Sequence, residues 1–115
     1  MTDNLNINKL HATNKKLEES RIKTYDRVKK QCYNRINIVS QTGKLECWYT
    51  VPKLIVGFPP IDIFECATYL MNKLENEPIV YEFFFPNLFY ISWDLQKIKQ
   101  KIEFEKINKN KKSAH

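Results

Sequence analysis

Between Leu10 and Val39 the apolar positions Leu10, Leu17, Tyr25, Val28, Cys32, Ile36 and Val39 recur at intervals of threes, fours and sevens, with Lys and Arg on the other faces. That spacing lines the apolar residues along one stripe and predicts a long amphipathic helix. Ser40 to Lys44 reads as a turn, because Gly43 tolerates the positive φ that ends a helix. From Leu45 to Val51 the pattern changes to alternation. Cys47, Tyr49 and Val51 share one side and Glu46, Trp48 and Thr50 the other, as in a strand with one buried face. Pro52 closes this strand, since proline has no N–H to give to a ladder.

Lys53 to Ile61 is apolar but carries Gly57, Pro59 and Pro60, which predicts an extended loop. Asp62, with Glu65 three residues later, is the pattern of a helix N-cap and capping box, and Ile61 and Cys66 fall where a hydrophobic staple would close. The helix predicted from Ile63 to Leu74 places Ile63, Cys66, Ala67, Leu70 and Leu74 on one face. Two β-rich runs follow, Ile79–Phe85 and Leu88–Trp93, joined by Pro86-Asn87. They predict a hairpin in which Ile79, Tyr81, Phe83 and Phe85 share one face of the first strand. Phe89, Ile91 and Trp93 share one face of the second. Beyond Asp94, the spacing of Leu95, Ile98 and Ile102 predicts a last helix that fades into a Lys-rich end.

The predicted order is helix, strand, helix, hairpin, helix. This is an α+β chain with a long N-terminal helix, a short strand, a capped helix, an aromatic β-hairpin and a C-terminal helix around a small antiparallel sheet. The order is partly winged-helix-like, although that layout has a further helix where Lys53 to Ile61 sits, and an architectural analogy says little about function. With 115 residues, 43% hydrophobic and 13% aromatic, the chain supports one domain with a real core and is not a disordered polymer. The division expected is a polar N-terminal helical extension over 1–20, a single α+β core over 21–93, and a C-terminal helix with a Lys-rich tail over 94–115. No apolar run approaches the ~18 residues of a membrane span, and Met1 to Asn14 lacks the hydrophobic stretch of a secretory signal. The cytosol, or a compartment open to it, is the expected setting, and there Cys32, Cys47 and Cys66 are free thiols.

The net charge of +6 lies at the ends of the chain. Residues 1–30 hold eight basic and four acidic side chains, residues 94–115 seven and three, and the stretch between them four and six. Such Lys-rich ends, mixed with acids, are ordinary solvated helices or else contacts to a polyanion. The sequence offers no catalytic or metal chemistry to recognise. The three cysteines have no C-x-x-C spacing and sit on apolar faces, where a thiol is a small hydrophobe. His11 and His115 are terminal, no glycine-rich phosphate loop occurs, and the acid pairs Glu18/Glu19 and Glu103/Glu105 fall in charged helical stretches. A non-enzyme without cofactor or metal is expected.

The distinctive feature is aromatic: Trp48, Tyr81, Phe83, Phe84, Phe85, Phe89, Tyr90 and Trp93. Much of this set must be core in so small a domain. Both faces of the hairpin are apolar, so one face takes the chain's own helices and the other is covered by the terminal helices or by another chain. Aromatics are enriched at the centres of interfaces, which makes Trp48, Tyr81, Phe83, Phe85, Phe89 and Trp93 the candidate protein interface. Stacking on single-stranded nucleic acid is a weaker reading, because the basic residues are not interleaved with the aromatics.

Four segments carry a family resemblance: Cys47-Trp48-Tyr49-Thr50-Val51-Pro52, Gly57-Phe58-Pro59-Pro60-Ile61-Asp62, Cys66-Ala67-Thr68-Tyr69-Leu70 and Pro86-Asn87-Leu88-Phe89-Tyr90-Ile91-Ser92-Trp93. Over about residues 21–93 the chain resembles a family of short uncharacterised proteins of nucleocytoplasmic large DNA viruses, the giant viruses. The resemblance implies a viral origin and a structural or adaptor role through protein–protein contacts, with viral structural or assembly proteins as partners. The setting it implies is the host cytoplasm, the virus factory or the virion. It transfers no catalytic or ligand-binding residue. The alternative is a small basic nucleic-acid-binding protein with Lys106, Lys109, Lys111 and Lys112 on phosphates. Steep salt dependence marks that reading and not a hydrophobic interface. The oligomeric state is left open.

Overall fold

The computed structural model describes residues 5–113, with side-chain surroundings given through residue 109. Helix α1 spans Ile7–Ser40, strand β1 Glu46–Thr50, helix α2 Ile63–Glu75, strands β2 Val80–Phe84 and β3 Leu88–Ser92, and helix α3 Leu95–Ser113. The strands form one antiparallel sheet in the order β1-β3-β2, so the last strand in sequence is the central one. Among the described residues no helix is long and apolar enough to cross a membrane.

Each element starts and stops where its sequence dictates. The Asn6 side chain accepts the Lys9 N–H at 3.1 Å to open α1, and Gly43, at φ 84°, turns the chain out of the helix. Asp62 accepts the Glu65 N–H at 3.0 Å and caps α2 as its capping pattern predicts. The loop between β1 and α2 folds back on itself through a turn from Ile55 to Phe58, with Gly57 at φ 87°, and the Ile61 N–H donates to Lys53. The hairpin turns at Phe85-Pro86-Asn87, where the Phe85–Pro86 peptide is cis.

The odd-numbered face of the sheet is the core face. Cys47 stands opposite Ile91 and Tyr49 opposite Phe89 across β1 and β3, while Tyr81 and Phe83 flank the same two residues from β2. Phe89 and Ile91 are completely buried beneath Val28 and Cys32 of α1 and Leu70 and Leu74 of α2, all members of one apolar cluster. Polar tips tie the layers together. The Tyr49 hydroxyl donates to the Val28 carbonyl at 3.4 Å, and the Tyr33 hydroxyl reaches the Lys73 carbonyl at 3.3 Å.

The stripe of α1 enters the core only over its second half. Burial begins at Thr24 and Tyr25, whereas Leu10 and Leu17 are about half exposed, because α1 outruns the sheet and α2. The 34-residue helix is ~50 Å long at ~1.5 Å per residue, and the radius of gyration of 19.4 Å exceeds the ~13 Å of a compact domain of this length. One expectation is corrected here: Phe85 is 82% exposed in the turn and shares no face with Tyr81 and Phe83. Strand β2 stops at Phe84, since Pro86 has no N–H to extend the ladder.

Two outcomes follow for stability. Phe89→Ala removes the largest fully buried side chain and should cost about 3–5 kcal/mol, enough to unfold most of a domain that holds only ~5–10 kcal/mol. Asp62→Ala, by contrast, should lower the denaturation free energy by about 1 kcal/mol. The thiols give an independent check. Burial pushes Cys32 and Cys66 up to about 12 and raises Cys47 as well, so none offers a thiolate near neutral pH. A thiol reagent at pH 8 should titrate no cysteine in the native protein and three after denaturation.

Candidate protein interface

Among the described residues no helix packs across the even-numbered face of the sheet as α1 and α2 do on the other, and α3 reaches only its end. It presents Glu46, Trp48 and Thr50 from β1, Val80, Glu82 and Phe84 from β2, and Leu88 and Tyr90 from β3. The register sets Trp48 beside Tyr90 and Leu88 beside Phe84. The Trp48 ring therefore lies 5.0 Å from Tyr90 and 5.9 Å from Phe84, a continuous aromatic row across all three strands. Trp48 remains 49% exposed and Phe84 40%, and Phe85 extends the row past the end of the hairpin. Large apolar groups held in water on a rigid sheet, with carboxylates at the margin, are the composition of a partner-facing patch.

One end of this face is covered. The first turns of α3 lie against the end of the sheet, where Lys97 forms an ion pair with Glu46 at 3.3 Å and holds its ammonium 5.0 Å from the centre of the Tyr90 ring. The Tyr90 hydroxyl donates to the Glu46 carboxylate, and Lys97 donates to the Tyr90 oxygen. Lys101, one turn on, pairs with Glu75 at 3.8 Å and stands over Tyr81 at 5.8 Å. Ser92 is buried at this end, its hydroxyl donating to the Leu45 carbonyl at 3.2 Å.

The six aromatics expected at an interface are thus divided. Trp48 and Phe85 are on the surface. Tyr81 and Phe83 are half-buried on the core face, with Phe83 4.9 Å from Phe89. Phe89 is fully buried and belongs to the core, so it has no surface to offer a partner. Trp93 lies beyond β3 and acts as a clamp: its indole N–H donates to the Lys44 carbonyl at 3.1 Å and its backbone N–H to Leu45 at 2.9 Å. Phe84 and Tyr90, which complete the open row, were not among the six. The signal for them was present in the charges. Glu46, Thr50 and Glu82 all share the parity of Trp48, Phe84 and Tyr90, and the face that carries charge is the face that meets water.

The candidate polyanion contacts lie elsewhere. Lys106 and Lys109 are exposed on α3 beyond the sheet, with Glu103 and Glu105 close by in sequence. The side chains of Lys111 and Lys112 fall outside the described residues. Among the described residues no three His, Cys, Asp or Glu side chains converge to hold a metal ion.

The clamp of α3 should respond to acid. The Tyr90 hydroxyl, and after it Lys97, hold the Glu46 carboxyl below its ordinary value of 4.5. Its stabilisation is therefore fully present above the unfolded carboxyl range and is lost as pH falls through the lower folded value. Amide protection factors in the first turns of α3, each taken against the unstructured rate at the same pH, should fall as the pH is lowered below ~4, and Glu46→Gln should show the lower protection already at pH 6. Equal protection in the variant and the parent at pH 6 would show that α3 is held by packing alone.

A family described as a family of unknown function (DUF5759) matches residues 5–75, which take in α1, β1, the following loop and α2. The match begins further towards the amino terminus than the resemblance read over 21–93, and it ends before the hairpin. An uncharacterised protein of Acanthamoeba polyphaga mimivirus is 33% identical over 100 residues, covering 84% of this chain and 81% of that protein. No solved structure matches the chain.

Proposed function

The chain belongs to the family of unknown function DUF5759, and on that premise we propose that it is a non-enzymatic structural or adaptor protein of a large DNA virus, working through protein–protein contacts made by its open sheet face. The observation that carries this reading is the row of exposed Trp48 and Phe84 with half-buried Tyr90, on a sheet whose opposite face already takes both packing helices. A mimivirus relative supports the viral setting. The proposed partners are viral structural or assembly proteins, met in the host cytoplasm, the virus factory or the virion.

Charge favours protein over nucleic acid at this surface. The open face carries Glu46 and Glu82. In a helix-turn-helix the groove-reading helix must meet phosphates, but the exposed residues of α2 are Phe64, Glu65, Thr68, Asn72 and Glu75. Glu46, Glu65 and Glu75 are each paired with a cation, so these surfaces offer no row of unpaired Lys or Arg to a phosphate backbone.

Tagged parent and a Trp48→Ala/Phe84→Ala variant, expressed in infected host cells and crosslinked, test the proposal. Both side chains lie off the core, so the variant should keep the parent's melting temperature within a few degrees. It should lose the crosslinks to viral proteins, since exposed aromatic anchors commonly contribute about 2 kcal/mol or more each at an interface. An unchanged set of crosslinked viral proteins would exclude the open face as the working surface. Loss of binding above ~0.2 M salt in both proteins would point to phosphate contacts instead.

A further inference from the structure

We infer that the amino-terminal half of α1 is a dimerisation arm that pairs antiparallel with the same segment of a second copy. Every residue from Leu5 to Glu19 is exposed. A helical stretch of that length is marginal in water when no face of it packs, yet this one carries a continuous seam. Ile7, Leu10, Asn14, Leu17, Arg21, Thr24 and Val28 follow one another at alternating steps of three and four. The seam is buried at Thr24 and Val28, where α1 enters the core, and open at Ile7, Leu10 and Leu17. It is one stripe of which the domain itself uses only the second half. Asn14 within it is the kind of single polar residue that fixes register in paired helices at some cost in affinity. The arm also lies inside the segment matched by the family, which begins at Leu5.

The second copy is favoured as occupant by shape and charge. Where the arm leaves the body, a cleft of about 310 Å³ runs between α1 and the start of α2, lined by Leu17, Tyr25, Pro59 and Pro60, with Asp62 and Glu65 on its far wall. From Leu5 to Leu17 the arm holds Lys9, Lys15 and Lys16 and no acid. Arg21 also lines the cleft and pairs with Glu65 at 3.9 Å, which leaves Asp62 as its unbalanced charge. A basic arm with an apolar stripe therefore complements a cleft with an apolar floor and one acidic wall, and each chain has one of both. A two-fold axis at Leu17 sets the two Leu17 side chains together, places Asn14 against the partner's Ser20, and carries Leu10 to the level of the partner's cleft, where Pro59 and Pro60 stand beside α1. Such an isologous pairing closes on itself. The arm from Leu5 to Lys23 is ~28 Å long, and it meets the partner along its whole stripe and again at the partner's cleft.

Sedimentation equilibrium of the full chain tests this directly. The parent should run at twice 13.8 kDa in the micromolar range, and Leu10→Glu/Leu17→Glu should weaken self-association at least ~30-fold while leaving the near-UV spectrum of the core unchanged. Mild oxidation then reads the orientation. Leu17→Cys, on the two-fold, should form an intermolecular disulfide, whereas two copies of Leu10→Cys stand ~20 Å apart along the pair and should not. A parent that stays monomeric to ~100 µM overturns the proposal. So does a dimer untouched by Leu10→Glu/Leu17→Glu but dissociated by Trp48→Ala/Phe84→Ala, which would place the contact on the sheet. Disulfides at both positions would overturn the antiparallel arrangement.

Discussion

The pairing of β1 with β3 is the constraint on which the rest of the structure depends. These strands lie about forty residues apart in sequence, yet β3 is the only strand that touches both of its neighbours. Until β3 is in place, β1 and β2 have no sheet to belong to. The core face assembles at the same moment, because Cys47 meets Ile91 and Tyr49 meets Phe89 across that ladder. Closing so long a loop costs entropy before any contact offsets it, and the two ends of the pairing are reinforced accordingly. At one end Asn87 accepts the Val51 N–H through its carbonyl at 2.8 Å and returns a side-chain bond to the Val51 carbonyl at 3.2 Å. At the other, Trp93 grips Lys44 and Leu45. A slip of one residue would send Phe89 and Ile91 into water and bring Tyr90 into the core.

Fixing that register fixes the open surface of the sheet too. With α1 and α2 committed to the odd face, the even face is left with its aromatic row, and only its one end is covered by Lys97 and the start of α3. The charge distribution follows the same division. Helix α1 holds nine basic and three acidic residues and α3 seven and two, so the body between them is acidic. Opposite charge is thereby separated in space: basic helices project from an acidic sheet-and-loop body.

Much of this was legible in the sequence because short-range chemistry decides it. Asp62 and Glu65 announce α2, alternation from Glu46 to Val51 announces β1, and Pro86-Asn87 announces the hairpin. The strand order was not legible, since nothing local to Leu88–Ser92 says that it pairs on both edges. That gap is what misplaced Phe89 among interface candidates and left out Phe84 and Tyr90. Alternation assigns residues to two faces, but which face is covered depends on where α1 and α2 pack. The periodicity of α1 alone does not mark where its stripe enters the core, and the polar composition of residues 1–20 is what set that extension apart. Leu10 and Leu17 obey the same periodicity as Val28 and Cys32, and periodicity does not reveal where the rest of the domain ends.

The two exposed surfaces have different physical limits, and those limits connect them. The open face is three strands of five residues, about 14 by 17 Å from strand spacing and rise. That flat area of roughly 240 Å² is well below what a standard interface buries on each side. One copy holding a partner by this face alone would bind weakly, however good its aromatic anchors. The proposed pairing through the arms would change the arithmetic without adding a contact to the open face. Two open faces joined by rigid helices engage a repetitive partner at high effective concentration, and the gain disappears if the spacing does not match. A stiff arm suits this purpose better than a flexible tether, because a helix fixes the separation of the two faces while a loop would only bound it. Small aromatic faces presented in pairs at a fixed distance fit an ordered array such as a viral assembly, where the same site recurs at regular intervals.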